Sequence, residues 1–150
     1  MTRSRHAPPK ASAMLEALRG LGYSTATALA DLIDNSITAM AATVHLRFIW
    51  AGSASAIAIL DDGAGMDAGE LDRAMRLGER SPLDARSSYD LGRFGLGLKT
   101  ASLSQCRRLT VASRQNGQTH CLRWDLDEIV KRQDDGWYLR SDIVWNKPNA

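Results

Sequence analysis

The sequence predicts an α+β fold, a two-layer sandwich in which helices cover one face of a sheet. Two observations lead to this class. The periodicity of apolar residues changes along the chain from helical to strand-like and back, so helices and strands are expected to mix within one domain. The 150 residues are 44% hydrophobic and 24% charged, a composition typical of a single globular domain.

The first half of the chain is predicted to hold three helices and two strands. Helical periodicity followed by glycines gives a first helix over residues 11–18. A second helix is expected to begin at a cap of Ser24 or Thr25 and to run to about residue 41. After it come strands over residues 43–50 and 56–60 and a further helix over residues 67–77.

The second half is predicted to contain a long loop, a helix and a strand pair. The polar residues 78–90 show no clear period, and loops of that length are uncommon unless they are functional. Glycines then lead into a helix of small residues. Strand-like residues on both sides of Gln115, Asn116 and Gly117 predict a hairpin. The remaining expectations are strands over 109–113 and 119–126, a helical turn over 127–132, and two short strands within 137–145.

Composition and charge exclude several classes of protein. A net charge of +2 is too close to neutral to indicate a nucleic-acid or membrane surface, and no apolar run reaches the ~18 residues of a membrane span. Cys106 and Cys121 lack the spacing of a zinc site and are too few for a disulfide framework, which favours a cytoplasmic location. Residues 1–10 are basic without an apolar signal core and are expected to be a disordered lead-in.

The second helix has two chemically distinct faces when its residues are placed at about 100° intervals. The face predicted to contact the core consists of Leu29, Ile33, Ile37 and Met40. The opposite face carries Asp31, Asp34, Asn35 and Thr38. Two carboxylates, an amide and a hydroxyl suit a hard cation and can orient a water molecule. The alternative is an acidic face exposed to solvent without a function.

A short glycine-containing loop follows the second strand. It reads Asp61-Asp62-Gly63-Ala64-Gly65-Met66. Glycines allow the backbone to approach a flat ligand closely, and a carboxylate at the end of a buried strand can accept a hydrogen bond from an exocyclic amine such as that of adenine. Met66 can pack on a ring face. The alternative is a tight Asp-Gly turn without a ligand.

A second glycine loop comes before the helix of small residues. Gly92, Gly95 and Gly97 precede a helix whose first residues include Lys99 and Thr100. The free N–H groups and the dipole of a helix N-terminus favour an anion, and a lysine adds a charge suited to phosphate. This pattern therefore indicates a phosphate site, with a structural glycine turn as the alternative.

These three motifs, in this order, resemble the GHKL ATPase superfamily. The resemblance spans about residues 23–126, and the wording ALADLIDNS, together with Phe94-Gly-x-Gly-Leu-Lys, is most similar to the MORC and heat-shock chaperone branch. It implies the Bergerat ATP-binding fold, a two-layer α/β sandwich with a mostly antiparallel mixed sheet. The domain is expected to cover residues 11–150 and to be incomplete at its C-terminal end.

The resemblance also implies a role for individual residues. Asn35 would hold Mg²⁺, Asp31 would activate the attacking water, and Asp61 would recognise adenine beside Gly63, Gly65 and Met66. The residues expected around the phosphates are Gly92, Gly95, Leu96, Gly97, Leu98, Lys99 and Thr100. The superfamily uses glutamate as the base, and Asp31 is shorter by one methylene, so slow turnover is expected because a misplacement of about 1 Å can cost on the order of 10²-fold in rate.

The function implied by the resemblance is Mg²⁺-dependent binding and slow hydrolysis of ATP, coupled to lid closure and dimerisation. The expected cofactors are ATP and Mg²⁺, and the expected partners are ATP or ADP and a second copy of the full-length protein. A nucleic-acid partner is left open, and a membrane partner is not expected. The alternatives are a non-hydrolysing ATP switch and a phosphotransferase similar to histidine kinases.

Overall fold

The computed structural model describes residues 4–77, 97–134 and 136–144. Helices and strands alternate within these ranges, which confirms the predicted α+β class. The helices are α1 (Ala11–Arg19), α2 (Thr25–Thr38), α3 (Ala68–Met75), α4 (Gly97–Gln105) and α5 (Leu126–Lys131). The strands are β1 (Val44–Ile49), β2 (Ala56–Asp61), β3 (Arg108–Gln115) and β4 (Gln118–Asp125). The expected loop over 78–90 lies outside the described residues.

Capping side chains set the starts of two helices. Ser24 is the N-cap of α2, and its hydroxyl accepts a hydrogen bond from the Thr27 amide at 3.1 Å. Asp67 and Glu70 form a reciprocal capping box at the start of α3, with distances of 2.8 Å and 2.9 Å. These caps satisfy amides that a helix leaves unpaired at its first turn.

The strands form two antiparallel pairs. In one pair Val44 faces Asp61 and Ile49 faces Ala56. The other pair turns at Asn116 and Gly117, whose φ angles of 50° and 78° suit a two-residue hairpin, as the Asn-Gly dipeptide predicts. Among the described residues the two pairs are separate two-stranded sheets, whereas the sequence predicted one sheet.

The two short strands expected within 137–145 are not formed in the part of that stretch that the structure describes. Arg140 makes a single antiparallel bridge to Arg123, with both backbone hydrogen bonds at 3.0 Å. Among the described residues the contact is confined to this one residue pair.

The hydrophobic core lies where α1, α3 and α5 meet α4 and the β3–β4 pair. The buried residues that form it are Ala11, Leu15, Leu71, Met75, Leu103, Leu109, Trp124, Leu126 and Ile129. The guanidinium of Arg19 on α1 donates to the carbonyls of Leu103 and Cys106 at 3.0 Å and 2.6 Å, so a cation closes the C-terminal end of α4. The position of α4 is thus fixed from several sides.

The core-facing stripe predicted for α2 is wrong in its orientation. Ala28 and Ser36 are the buried residues of α2, whereas Ile37 is 51% exposed and Met40, beyond the helix end, is 83% exposed. At about 100° per residue the buried sector lies roughly a quarter turn from the predicted stripe. The reason is that α2 packs on α4, a helix of small residues that approaches closely and selects small side chains at the contact.

No helix in the described ranges combines the length and the apolar character needed to cross a membrane.

Asp125 joins β4 to α5 and gives the fold a measurable pH dependence. Its carboxylate accepts from the Asp127 and Glu128 amides at 3.1 Å and 3.3 Å and from the Arg108 guanidinium at 2.7 Å. Burial acts to raise the pKa of Asp125, but Arg108 and the two amides outweigh it, so the pKa lies below its usual value. The charged form is therefore the form that stabilises the fold.

Asp125→Ala is expected to lower the free energy of unfolding at pH 7 by about 1–2 kcal/mol, mainly through loss of the N-cap. Because the folded-state pKa is depressed, this stabilisation is present above the unfolded-state pKa and is lost as pH falls through the folded-state pKa. Urea denaturation should thus show the two proteins converging as the pH falls below about 4. Asp127→Ala, which removes an exposed carboxylate, is the control, and a difference independent of pH would contradict the assignment.

Candidate functional site

A wide cleft is lined by α2, the β1–β2 pair, the loop that follows β2, the start of α4, and β3. Its volume is about 2570 Å³, above the roughly 300–1,000 Å³ of a typical small-molecule pocket. Such a space fits many ligands by size. Any selectivity must therefore come from the polar groups that are held in fixed positions along its walls.

Asp61 is a cleft carboxylate that two hydrogen bonds hold in place. One of its oxygens accepts from the Ser36 hydroxyl at 2.9 Å, and the other accepts from the Gly63 amide at 2.9 Å. Ser36 is 4% exposed, whereas Asp61 itself is exposed at the end of β2. A carboxylate offers about four lone-pair positions, so Asp61 keeps acceptor capacity towards the cleft.

The loop after Asp61 is attached on both sides of the cleft. The Ala64 amide donates to the Ala39 carbonyl at 2.9 Å, just beyond the end of α2. On the other side the Met66 amide donates to the Ser113 hydroxyl of β3 at 2.8 Å. The loop thus bridges the two sheets and sets the direction in which Asp61 points.

The two glycines of this loop are required by neighbouring protein atoms. A Cβ at Gly63 would lie 2.8 Å from the Ala39 carbonyl oxygen, and a Cβ at Gly65 would overlap the Arg114 carbonyl oxygen. Gly65 also has a φ of 70°, which side chains rarely adopt. The loop backbone at these glycines therefore approaches the backbone of Ala39 and Arg114 closely. Its predicted close approach to a ligand stays a prediction.

Asp62 differs in function from its neighbour. Its carboxylate accepts from the Ala42 and Thr43 amides, both at 2.8 Å. The Thr43 hydrogen bond is the main cause that holds the pKa of Asp62 below its usual value. Asp62 also lines the cleft, but its Oδ1 accepts from two backbone amides and so fixes the turn that enters β1.

The polar face of α2 is divided by the structure. Asn35 lines the cleft together with Ser36 and Asp61, whereas Asp31, Asp34 and Thr38 are not among the described residues that line it. Partial burial, followed by the charge of Asp31 and hydrogen bonding to it, raises the pKa of the Tyr23 hydroxyl. The geometry thus brings Asn35 and Asp61 to one cleft and places Asp31 against Tyr23.

The start of α4 is the described part of the predicted phosphate loop. Gly97 and Leu98 line the cleft, and the Thr100 hydroxyl is buried without a hydrogen-bond partner among the described atoms. Lys99 is 2% exposed, and its ammonium donates to the carbonyls of Ala74 and Arg76 at the end of α3. Those distances are 2.8 Å and 2.6 Å. Gly92, Gly95 and Leu96 lie outside the described residues.

Ser36 and Ser113 are the site residues that sequence reasoning missed. Ser36 follows Asn35 directly, and its signal is positional, since a serine buried inside a helix requires a hydrogen-bond partner. Ser113 lies in β3, far from the loop in sequence, and no local pattern connects it to Met66. Met66 itself is half-buried against the core and lines the cleft.

Residues 23–143 match the family described as histidine kinase-, DNA gyrase B- and HSP90-like ATPase. The chain is 32% identical over 91 residues to ATPase morc-1 of Caenorhabditis elegans, covering 61% of this chain and 10% of that protein. It is 34% identical over 93 residues to the DNA mismatch repair protein MutL of Rhodospirillum rubrum, covering 61% of this chain and 15% of that protein.

A shorter similarity links the chain to a different kind of protein. Type II methyltransferase M.Cfr9I of Citrobacter freundii is 94% identical over 18 residues, which are 12% of this chain and 6% of that enzyme. The chain thus spans only a small part of the length of each curated relative named here.

The family match covers well over half of the chain and includes Asn35, Asp61 and the start of α4. These residues line one cleft and occur in the order that the sequence motifs predict. The family implies binding of ATP. The chain belongs to the histidine kinase-, DNA gyrase B- and HSP90-like ATPase family.

Proposed function

We propose that this chain is an Mg²⁺-dependent ATP-binding domain that hydrolyses ATP slowly and couples nucleotide state to lid closure and dimerisation. Family membership supports ATP binding. The observation that carries the finer proposal is the Asp61 carboxylate, held between Ser36 and Gly63 in the same cleft as Asn35 and the start of α4.

Asp61 would recognise the adenine base. Its oxygens are oriented by a hydroxyl and an amide, so a lone pair remains for the exocyclic amine of adenine. Guanine has a carbonyl at the corresponding position, and two hydrogen-bond acceptors, this carbonyl and the Asp61 carboxylate, would then face each other. Met66, half-buried at the edge of the cleft, would pack against the ring.

Asn35 would bind Mg²⁺ together with the nucleotide. Among the described residues there is no group of three or more His, Cys, Asp or Glu side chains that could hold a metal alone. Mg²⁺ is usually held by one or two protein carboxylates, with substrate phosphates and waters supplying the other oxygens. The amide oxygen of Asn35 would take the place of such a carboxylate, and the ion would neutralise phosphate charge.

The N-terminal turn of α4 would hold the phosphates. Gly97 is the first described residue of that helix, and no described atom beyond its chain neighbours lies within 4 Å of a Cβ added there. Among the described atoms the buried hydroxyl of Thr100 in the same turn has no hydrogen-bond partner, and buried polar groups normally find one. Gly92, Gly95, Leu96 and Leu98 complete the proposed phosphate-binding stretch by resemblance.

Asp31 would act as the base that activates water, and its position favours slow turnover. It contacts Tyr23 and is not among the described residues that line the cleft. This observation also favours a second candidate function, a switch that binds ATP without hydrolysing it. Measuring phosphate release under saturating Mg-ATP separates the two functions. Release by the wild type that Asp31→Asn abolishes would identify Asp31 as the base. No release by the wild type would indicate the non-hydrolysing switch.

Partners and location are proposed on fewer observations. A homodimer of the full-length protein is proposed from the resemblance. The basic edge formed by Arg107 and Arg108 gives little support to a nucleic-acid partner, since Arg107 pairs with Glu16 and Asp127 and Arg108 pairs with Asp125. A cytoplasmic location agrees with the free thiols of Cys106 and Cys121.

The direct test is calorimetric titration of the 150-residue chain with a non-hydrolysable ATP analogue, with and without Mg²⁺. Saturable binding at one site is expected for the wild-type chain. Asn35→Ala is expected to remove the Mg²⁺-dependent part of the affinity, because the protein ligand to the ion is lost. Asp34→Ala, on the same helix but away from the cleft, is the matched control.

Equal affinity of Asn35→Ala and wild type in Mg²⁺ would remove the metal assignment. Absence of any binding by the folded wild-type chain would contradict the proposed function as a whole.

A further inference from the structure

The carbonyls at the C-terminal end of α3 are bonded by two buried side chains from other elements. The Lys99 ammonium donates to the Ala74 and Arg76 carbonyls at 2.8 Å and 2.6 Å. The Trp124 indole N–H of β4 donates to the carbonyl of Met75 between them at 2.9 Å. Three successive carbonyls, which a helix leaves without intrahelical partners, are thereby satisfied from α4 and β4.

The burial of Lys99 makes this contact energetically significant. Lys99 is 2% exposed, and removing an ammonium from water costs free energy unless several acceptors surround it. The end of a helix carries partial negative charge, which favours a cation. The two short hydrogen bonds to carbonyls therefore place the charge where α3 can stabilise it.

Lys99 lies in the first turn of α4, next to the residues proposed to hold phosphate. From the resemblance, a lysine at this place was expected near the phosphates. In the structure its ammonium donates to two carbonyls at the end of α3. A loss of Lys99 would thus change the position of the α4 turn before any nucleotide is present.

We propose that Lys99 is a positioning residue, which fixes the first turn of α4 against the end of α3 and so sets the geometry of the phosphate-binding turn without contacting phosphate. This inference rests on the proposed ATP-binding function for its effect on affinity. The hydrogen bonds from Lys99 to the end of α3, which we call the clamp, are present in the protein without nucleotide. The two parts can therefore be tested separately.

The test compares Lys99→Met with wild type, with Lys131→Met as the control at an exposed lysine in the last turn of α5. Hydrogen exchange is measured on the nucleotide-free proteins. Lys99→Met is expected to speed exchange of the amides in the last turn of α3 and the second turn of α4, which are hydrogen-bonded within their helices, by about tenfold or more, as charged hydrogen bonds are lost. Lys131→Met should leave these amides unchanged.

Nucleotide affinity, measured where every variant is folded, does not change through a loss of stability alone. Calorimetry is carried out where every variant is fully folded, with ADP and with a non-hydrolysable ATP analogue. Lys99→Met is expected to weaken both by a similar factor, about tenfold, since both depend on the placement of the α4 turn. Lys99→Arg, which keeps a buried cation with donors, should restore most of the affinity and slow the exchange again.

Unchanged exchange in the nucleotide-free Lys99→Met protein, with a loss confined to the ATP analogue, would overturn the proposal and make Lys99 a phosphate ligand. If Lys99→Met does not fold, the same two measurements on Lys99→Arg against wild type decide the question, with a smaller increase in exchange expected at the same amides. If the wild-type chain binds no nucleotide, the exchange result still tests the clamp, and only the proposed function fails.

Discussion

Asp61→Asn is expected to lower the affinity for ATP by on the order of 10- to 100-fold, the range for loss of a hydrogen bond to a charged group. The substitution preserves the shape of the side chain. The new amide oxygen can still accept from Gly63, and the new amide nitrogen can donate to Ser36, because a hydroxyl both donates and accepts. The loop should therefore stay folded while the charge and one acceptor disappear from the cleft.

The measurement is calorimetric titration with ATP and GTP analogues in Mg²⁺. The loss for ATP should exceed that for GTP, since guanine has a carbonyl at the ring position where adenine has its exocyclic amine. Asp62→Asn is the matched control, because its carboxylate binds the amides of Ala42 and Thr43. It should reduce stability and leave the ATP affinity unchanged, whereas equal losses for ATP and GTP in Asp61→Asn would remove the adenine-reading role.

Gly65→Ala is expected to lower the free energy of unfolding by about 3 kcal/mol or more and to abolish nucleotide binding. Two effects combine at this position. A φ of 70° costs a side chain about 1–2 kcal/mol, and the added Cβ would overlap the Arg114 carbonyl oxygen. That oxygen belongs to the backbone of β3, so relief requires movement of the loop that carries Asp61.

Gly117→Ala separates the two effects. Gly117 has a φ of 78°, but no atom of the described residues lies within 4 Å of its added Cβ, so only the backbone conformation is penalised. Chemical denaturation should show a loss of about 1–2 kcal/mol, with normal ATP affinity. If Gly65→Ala and Gly117→Ala prove equally stable, the close contact between Gly65 and β3 does not determine the conformation of the loop.

Local signals in the sequence predicted most elements of the fold. Ser24 marked the start of α2 because a hydroxyl at that position satisfies a free amide, and Asn116 and Gly117 marked the β3–β4 turn because both adopt positive φ. Asn35 and Asp61 were named as site residues from their motifs, and the structure places both in one cleft. These features depend on residues close to one another in the chain.

Features that depend on packing between distant elements could not be predicted in this way. The buried face of α2 is set by the small residues of α4, so the periodicity of Ile33 and Ile37 pointed to the wrong sector. The contact of Ser36 with Asp61 depends on where β2 ends relative to α2. The carbonyls that bind Lys99 belong to a helix more than 20 residues earlier, which a motif of consecutive residues does not contain.

The loop between Asp61 and Met66 makes the two sheets thermodynamically dependent on one another. It is hydrogen-bonded to the end of α2 at Ala39 and to β3 at Ser113, so neither neighbour can open without straining it. A ligand bound at Asp61 would stabilise the hydrogen-bonded form of this loop. Because the loop is bonded to both sides of the cleft, we expect local opening of either sheet to become rarer when the cleft is occupied.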